Sequence, residues 1–171
     1  PDGSLRDKPS LEDMISAIRG TNNSSAGPDG IPFAFYRLFA EEVAPVLLRI
    51  LDLMASGRVP PGGFNHGILF LLAKDCSMLV DHTRPISVAN ADNRILAKLL
   101  ADLLGPIFND ILHTSQKGFI PKRCGLDHVR AITSLFYGAV SKDYQHYILF
   151  LDTKKAFDSV DHSFIHAVLK K

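Results

Sequence analysis

Several residue types and patterns are scarce in this chain of 171 residues. It has no tryptophan and only two cysteines, Cys76 and Cys124, neither of which belongs to a CxxC pair. That usage argues against a zinc knuckle or a disulfide framework and is typical of a reducing compartment. The longest apolar runs fall far short of the roughly 20 residues that a membrane-spanning helix needs. We therefore expect no membrane partner.

The bulk composition says little about other partners. The chain is 46% hydrophobic and 22% charged, which is ordinary for a globular protein and argues against global disorder. Its net charge of +1 neither favours nor excludes nucleic acid, so only a local cluster of basic residues carries that information. The length suits one domain or a large piece of one. Because the chain begins at Pro1 and ends within a helical pattern, we expect it to be a piece of a longer polypeptide.

The N-terminal part of the chain predicts three helices. Ser10 and Asp13 resemble a capping box, an apolar stripe follows them, and Gly20 suits the end of the first helix. Pro32 fits the first turn of a second helix. Pro45 interrupts the pattern of this second helix, so we expect a new helix to begin there.

The middle of the chain predicts a β-hairpin. Two short apolar runs, 68–73 and 84–88, are separated by a polar turn, which brings Lys74 and Arg84 near the hairpin tip. A long helix is expected next, with an asparagine or aspartate at its start and Gly105-Pro106 ending or kinking it. The two residues that suit the cap of this helix are Asn90 and Asp92.

The C-terminal part predicts a loop at 113–125, a helix, a strand and a final helix. The strand, Tyr147–Leu151, ends in the carboxylate Asp152. Such a carboxylate is a hard-oxygen ligand that suits magnesium, but it is also typical of a turn aspartate that caps the local backbone. From the residues alone both interpretations stay open. Asp158 and Asp161 are expected to form an Asx turn and to cap the last helix.

Four phrases in order resemble the reverse transcriptases of LINE-type (non-LTR) retrotransposons. Residues 149–162 read LFLDTKKAFDSVDH and resemble motif A of that family. The SSAGPDGIPFAFYR phrase at 24–37 resembles its N-terminal motif 0. Residues 68–104 resemble its fingers motifs, and QKGFIPKRCGLDHV at 116–129 resembles the fingers–palm motif that follows. The resemblance covers roughly residues 10–170, and four such phrases in order are a specific signal.

This resemblance implies a catalytic mechanism. Asp152 is expected to bind the two catalytic magnesium ions, assisted by the backbone carbonyl of Thr153. Phe157 corresponds to the steric gate under the sugar, where an aromatic ring excludes a ribose 2′-hydroxyl. Lys74 and Arg84 match the basic pair that grips the incoming triphosphate.

The resemblance also implies a nucleic-acid surface. Gln116, Gly118 and Arg123 match the loop that faces template and nucleotide. The densest basic stretch of the chain lies there as well and is consistent with contact to the phosphate backbone, although a solvated basic loop is the competing interpretation. Its members are Lys117, Lys122, Arg123 and Arg130.

The expected fold is α+β, a partial right-hand polymerase with helix-rich fingers, a β-hairpin and the first palm strand. Residues 1–145 are expected to form the fingers module with an N-terminal extension, and 146–171 the start of the palm. The implied partners are an RNA template, a DNA primer, deoxynucleoside triphosphates and the rest of the parent polymerase, and nuclear action is implied. The chain contains no [FY]xDD phrase, so we expect it to be inactive by itself.

Two alternatives remain at this point. One is a degenerate or repurposed module, derived from a reverse transcriptase, that binds nucleic acid without catalysis. The other is a viral RNA-templated polymerase, although Phe157 favours deoxynucleotides over ribonucleotides.

Overall fold

The computed structural model describes residues 8–60, 62–76, 79–140, 147–153, 156 and 159–170. The chain divides into two compact units, Pro1–Cys124 and Gly125–Lys171. Helices and one two-stranded antiparallel sheet agree with the predicted α+β class. The right-hand polymerase arrangement and the predicted border at residue 145 remain predictions.

Among its described residues, the first unit contains four helices and a hairpin. In chain order its elements are α1 (Leu11–Arg19), α2 (Phe33–Leu38), α3 (Ala40–Ala55), β1 (Gly67–Ala73), a 3-10 turn (Val80–His82), β2 (Thr83–Ala89) and α4 (Ala91–Ile111). Its core is helical, because apolar faces of the four helices pack together and remove their side chains from water. The largest fully buried side chains are Met14, Ile18, Ile95 and Leu99.

The predicted start and end of α1 are confirmed. The Asp13 backbone N–H donates to the Ser10 hydroxyl at 3.1 Å, and the Ser10 backbone N–H donates to the Asp13 carboxylate at 2.8 Å. This reciprocal pair satisfies two donors that the helix itself leaves without partners. Gly20 ends the helix, with its N–H donating to the Ser16 carbonyl at 2.9 Å.

The prediction that a new helix begins at Pro45 is wrong. The break between α2 and α3 falls at Phe39, and Pro45 lies inside α3. Ala40, Ala44 and Leu47 are buried at helical spacing, so an unbroken helix keeps one apolar stripe in the core. Pro45 itself is exposed, which leaves its ring outside the packed face.

The predicted hairpin is confirmed, and its strands pair from Gly67↔Ala89 to Ala73↔Thr83. Every residue of β1 is exposed, including apolar side chains on both faces of the ribbon. The hairpin therefore contributes little to the core of the first unit. Its base does reach that core, because Phe64, three residues before β1, is only 6% exposed.

Helix α4 continues through the expected stop at Gly105-Pro106 and ends at Ile111. Gly105 is buried, and a Cβ on it would lie only 3.1 Å from Pro121 Cγ. The glycine thus allows the later loop to pack on the helix. Asn90 stands at the N-cap position, but its side chain makes no capping hydrogen bond.

The second unit contains α5 (Leu126–Val140) and α6 (His162–Leu169). Both helices were predicted, and Asp161 caps α6 by accepting a hydrogen bond from the Ser163 N–H at 2.7 Å. The strand predicted at Tyr147–Leu151 is not formed, because residues 147–153 pair with no strand in the described parts of the chain. A strand needs a partner for its backbone hydrogen bonds, and without one these apolar side chains stay exposed.

Candidate functional site

The hairpin tip brings Lys74 and Arg84 onto one face of the ribbon. Arg84 lies opposite Leu72, and the Lys74 N–H extends the ladder by donating to the His82 carbonyl at 2.9 Å. Side chains alternate between faces along a strand, so Lys74 lies on the face of Leu72 and of its partner Arg84. The two cations therefore lie on the same surface near the hairpin tip, as diagonal neighbours with the Ala73–Thr83 pair between their rungs.

The tip is closed by polar contacts. His82 Nδ1 lies 2.8 Å from the Asp75 carboxylate, and the Thr83 hydroxyl donates to the Val80 carbonyl at 2.7 Å. These contacts hold the turn between the strands. Because both Lys74 and Arg84 are exposed, their charges remain available to a ligand.

The AGPDG loop is fastened to the start of α4 by Asn90. The Asp29 N–H donates to Asn90 Oδ1 at 3.2 Å, and Asn90 Nδ2 donates to the Gly63 carbonyl at 3.3 Å. Asn90 is only 8% exposed, and it is the one buried polar residue among the described residues. One side chain thus joins three segments that are distant in sequence. The residues around Asn90 predict only a helix cap, since nothing in the local sequence distinguishes a cap from a residue that joins distant segments.

Gly27 is required by this contact. A Cβ at that position would lie 2.4 Å from Asn90 Oδ1 and 2.5 Å from Asn90 Cα. Such a distance cannot be relieved by turning a side chain, because Asn90 Cα belongs to the backbone. The loop closes with a turn in which Gly30, at φ +72°, donates its N–H to the Gly27 carbonyl at 3.0 Å.

Two arginines hold the polar segment that precedes the AGPDG loop. Arg37 donates to the Thr21 carbonyl at 2.9 Å, and Arg94 donates to the Ser25 carbonyl at 3.2 Å. The Arg94 guanidinium also lies 4.7 Å from the centre of the buried Phe33 ring. The segment is therefore fixed to α2 and α4 through its backbone.

Burial and nearby negative charge raise the pKa values of two side chains near this loop, Tyr36 and Asp92. Burial raises the pKa of Tyr36 to about 12, with further contributions from the negative charges of Asp92 and Asp29. Burial also raises the pKa of Asp92, and the Asp29 charge acts in the same direction. The hydrogen bond from the Asn93 N–H opposes this rise. Tyr36 is therefore neutral over the physiological pH range.

The loop after α4 contains most of the predicted nucleic-acid residues. Gln116 Nε2 donates to the Gly118 carbonyl at 3.2 Å, which closes a tight turn. Lys117 is half-buried, while Lys122 is exposed. Phe119 and Lys122 have positive φ angles of 62° and 63°, a conformation uncommon for residues other than glycine. The backbone of this loop therefore adopts the left-handed conformation at two non-glycine residues.

Arg123 differs from its basic neighbours, because its guanidinium is engaged inside the chain. It donates to the carbonyls of Asn109, Leu112, His113 and Gln116 at 2.6, 3.0, 2.7 and 3.0 Å, and to Asn109 Oδ1 at 3.0 Å. The phosphate contact predicted for Arg123 remains a prediction.

The predicted residues of the second unit that the structure describes are exposed. Arg130, on α5, lies 3.6 Å from the Asp127 carboxylate and is 78% exposed at its side chain. Asp152 and Thr153 are consecutive exposed residues of the unpaired segment. Phe157 lies outside the described residues. Within the described ranges, no three or more His, Cys, Asp or Glu residues cluster as a metal site.

Comparison with known proteins identifies the family. Residues 73–171 match the family described as reverse transcriptase (RNA-dependent DNA polymerase). The chain belongs to the reverse transcriptase family. The matched residues include both cations of the hairpin tip, the loop after α4 and Asp152.

Three curated relatives extend the match over the rest of the chain. The Xenopus laevis protein named Transposon TX1 uncharacterized 149 kDa protein is 29% identical over 94% of this chain and 12% of its own length. The Retrovirus-related Pol polyprotein from type-1 retrotransposable element R2 of Nasonia vitripennis is 26% identical over 96% of this chain and 16% of its length. The Retrovirus-related Pol polyprotein from type-2 retrotransposable element R2DM of Drosophila melanogaster is 29% identical over 93% of this chain and 15% of its own length.

These matches confirm the resemblance to reverse transcriptases of LINE-type (non-LTR) retrotransposons. This reverse transcriptase chain spans between 12% and 16% of the length of those relatives. The described helices include none with the length and hydrophobicity that a bilayer crossing requires.

Proposed function

We propose that this chain is part of an RNA-directed DNA polymerase that extends a DNA primer along an RNA template. The observation that carries the proposal is the reverse transcriptase match over residues 73–171, which includes the cationic hairpin tip and Asp152. The comparisons do not favour a degenerate or repurposed nucleic-acid-binding module. The expected inactivity of the 171-residue chain by itself is part of the proposal.

Asp152 and Thr153 would hold magnesium. The donors are a carboxylate and a backbone carbonyl, the hard oxygen ligands that magnesium prefers, and both residues are exposed. Magnesium commonly binds one or two carboxylates together with substrate phosphates, so a single carboxylate here suits part of such a site. When bound, the metal would neutralise charge that develops as the primer 3′-hydroxyl attacks the α-phosphate.

Lys74 and Arg84 would bind the triphosphate of the incoming nucleotide. Their shared face on the hairpin supports this role, because two cations that are diagonal neighbours on one face can contact neighbouring phosphates. The guanidinium supplies two parallel N–H donors to one phosphate group, and the ammonium supplies a compact charge.

The loop after α4 and the start of α5 would contact the template. Lys117, Lys122 and Arg130 supply positive charge for the phosphate backbone, while Gln116 and Gly118 form a turn that a base or sugar can approach. Phe157 would act as the steric gate that excludes a ribose 2′-hydroxyl.

The decisive experiment is primer extension on an RNA template by the polymerase that contains this chain. Replacing Asp152→Ala is expected to abolish extension, because the metal loses its carboxylate ligand. Asp161→Ala is the matched control, since Asp161 caps α6 and is expected to leave the chemical step unchanged. Extension at the unaltered rate by Asp152→Ala would overturn the proposal.

The steric-gate role has its own measurement. Phe157→Ala is expected to raise incorporation of ribonucleotides relative to deoxynucleotides, because the space for the 2′-hydroxyl opens. Phe164→Ala, a change of the same size on α6, serves as the control. An unchanged ratio of ribonucleotide to deoxynucleotide incorporation would contradict the assignment.

A further inference from the structure

The guanidinium of Arg123 donates five hydrogen bonds within the first unit. An arginine side chain carries five N–H donors in a fixed planar fork. The Nε–H donates to Asn109 Oδ1, Nη1 donates to the carbonyls of His113 and Gln116, and Nη2 donates to those of Asn109 and Leu112. The number of bonds therefore equals the number of donors.

Four of the five acceptors are backbone carbonyls at the end of α4 and in the following loop, and the fifth is the side-chain oxygen Asn109 Oδ1. The last carbonyls of a helix have no partner within the helix, and the helix dipole places partial negative charge there. Arg123 supplies both hydrogen bonds and positive charge at that end. A lysine would place its charge nearby but has only three donors on one atom, so it cannot reproduce the planar fork.

The loop is fastened to the same side of α4 at a second point. Pro121 packs on Gly105, where a Cβ would lie 3.1 Å from Pro121 Cγ. Gly105 and Asn109 are spaced four residues apart, so they lie on one face of the helix, and Leu112 follows directly after its end. The end of the loop therefore returns along that face, held by packing and by Arg123.

We propose that Arg123 is a positioning residue that clamps the Gln116–Gly118 turn to the end of α4, and that it is not a phosphate ligand. The bond from Nη1 to the Gln116 carbonyl connects the guanidinium directly to that turn. The functional consequence, a correctly placed template-binding turn, rests on the proposed polymerase function. The clamp itself is a property of the folded chain and can be measured without activity.

Amide hydrogen exchange of the 171-residue chain tests the clamp. The reporters are the N–H groups of Leu112, bonded to Phe108, and of Gln116, bonded to His113. Arg123→Lys and Arg123→Ala are both expected to speed exchange at these amides about tenfold or more, because hydrogen bonds to a charged donor are lost. Lys122→Ala, which removes a neighbouring exposed charge, is expected to leave them unchanged.

Wild-type exchange in both Arg123 variants, or full protection restored by Arg123→Lys, would overturn the clamp. If Arg123→Ala does not fold, the lysine variant supplies the measurement. Hydrogen exchange does not depend on the proposed function. Failure of the proposed function would show instead in primer extension, as an Asp152→Ala polymerase that is still active.

Salt dependence of binding to a single-stranded RNA oligonucleotide separates a positioning residue from a phosphate ligand. Loss of one phosphate contact reduces the slope of log affinity against log salt by about 0.7. Arg123→Ala is expected to weaken binding with the slope unchanged, because a positioning residue makes no phosphate contact of its own. A slope reduced by Arg123→Ala and restored by Arg123→Lys would make Arg123 a phosphate ligand and overturn the proposal.

Discussion

Asp29 and Asn90 are joined by a hydrogen bond of 3.2 Å, although 61 positions separate them in the sequence. The backbone N–H of Asp29 donates to the Asn90 side-chain oxygen, and the Asn90 amide donates in turn to the Gly63 carbonyl. The Asn90 side chain therefore links the start of α4 to both the AGPDG loop and the segment before the hairpin.

Replacing Asn90→Ala is expected to lower the free energy of unfolding by about 2 kcal/mol, because the two hydrogen bonds of a buried side chain are lost. Urea denaturation of the 171-residue chain measures this change. Asn22→Ala, at an exposed asparagine of the neighbouring loop, is expected to change stability by less than about 0.5 kcal/mol. Equal effects of the two substitutions would contradict the role assigned to Asn90.

Gly27→Ala is expected to destabilise the first unit by about 2 kcal/mol or more, because the new methyl group would overlap the backbone of Asn90. Gly138→Ala is the matched control, since a Cβ there meets nothing within 4 Å. In the last turn of α5 this second change is expected to stabilise the helix by up to about 1 kcal/mol. Thermal melting measures both, and the same sign for the two changes would count against this account.

The raised pKa of Tyr36 predicts a loss of stability at alkaline pH. Between the ordinary tyrosine pKa of 10.0 and the folded value of about 12, the unfolded chain releases the proton while the folded chain retains it. The stability that the protonated Tyr36 contributes is therefore complete below pH 10, and it is lost as the pH rises toward 12.

Tyr36→Phe is expected to flatten this part of the stability profile, because phenylalanine cannot ionise. Urea denaturation at several pH values between 9 and 12 measures the difference between the two chains. Tyr137→Phe, at a tyrosine that is 75% exposed, is the control and is expected to follow the unaltered chain. Parallel profiles for all three chains would show that Tyr36 does not retain its proton.

Lys74→Ala and Arg84→Ala are each expected to raise the KM for deoxynucleotides about tenfold in the polymerase that contains this chain, because a charged contact to the triphosphate is lost. Arg84→Lys is expected to recover only part of the affinity, since it lacks the bidentate fork. Arg49→Ala, at an exposed arginine of α3, is the control. Unchanged KM values in both hairpin variants would remove these residues from the nucleotide site.

Features that depend on neighbours in sequence were predictable. The Ser10–Asp13 capping box, the hairpin that carries Lys74 and Arg84, and the Asp161 cap follow from short patterns whose partners lie within a few residues. The helix start predicted at Pro45 is wrong, because burial of Ala40, Ala44 and Leu47 along one continuous stripe outweighs the local cost of a proline. The expected strand at 147–151 was misjudged because the apolar pattern cannot show whether a pairing partner is present.

The sequence by itself determined the family, the order of the helices and hairpin, and the chemistry available at Asp152, because these reside in residue types and short spacings. Only the tertiary structure decided that Asn90 joins three segments and that the Arg123 donors are engaged within the chain. Both roles depend on backbone atoms of other segments, and each backbone presents the same N–H and carbonyl groups whatever its side chain. Which of those groups come within hydrogen-bond distance is set by packing.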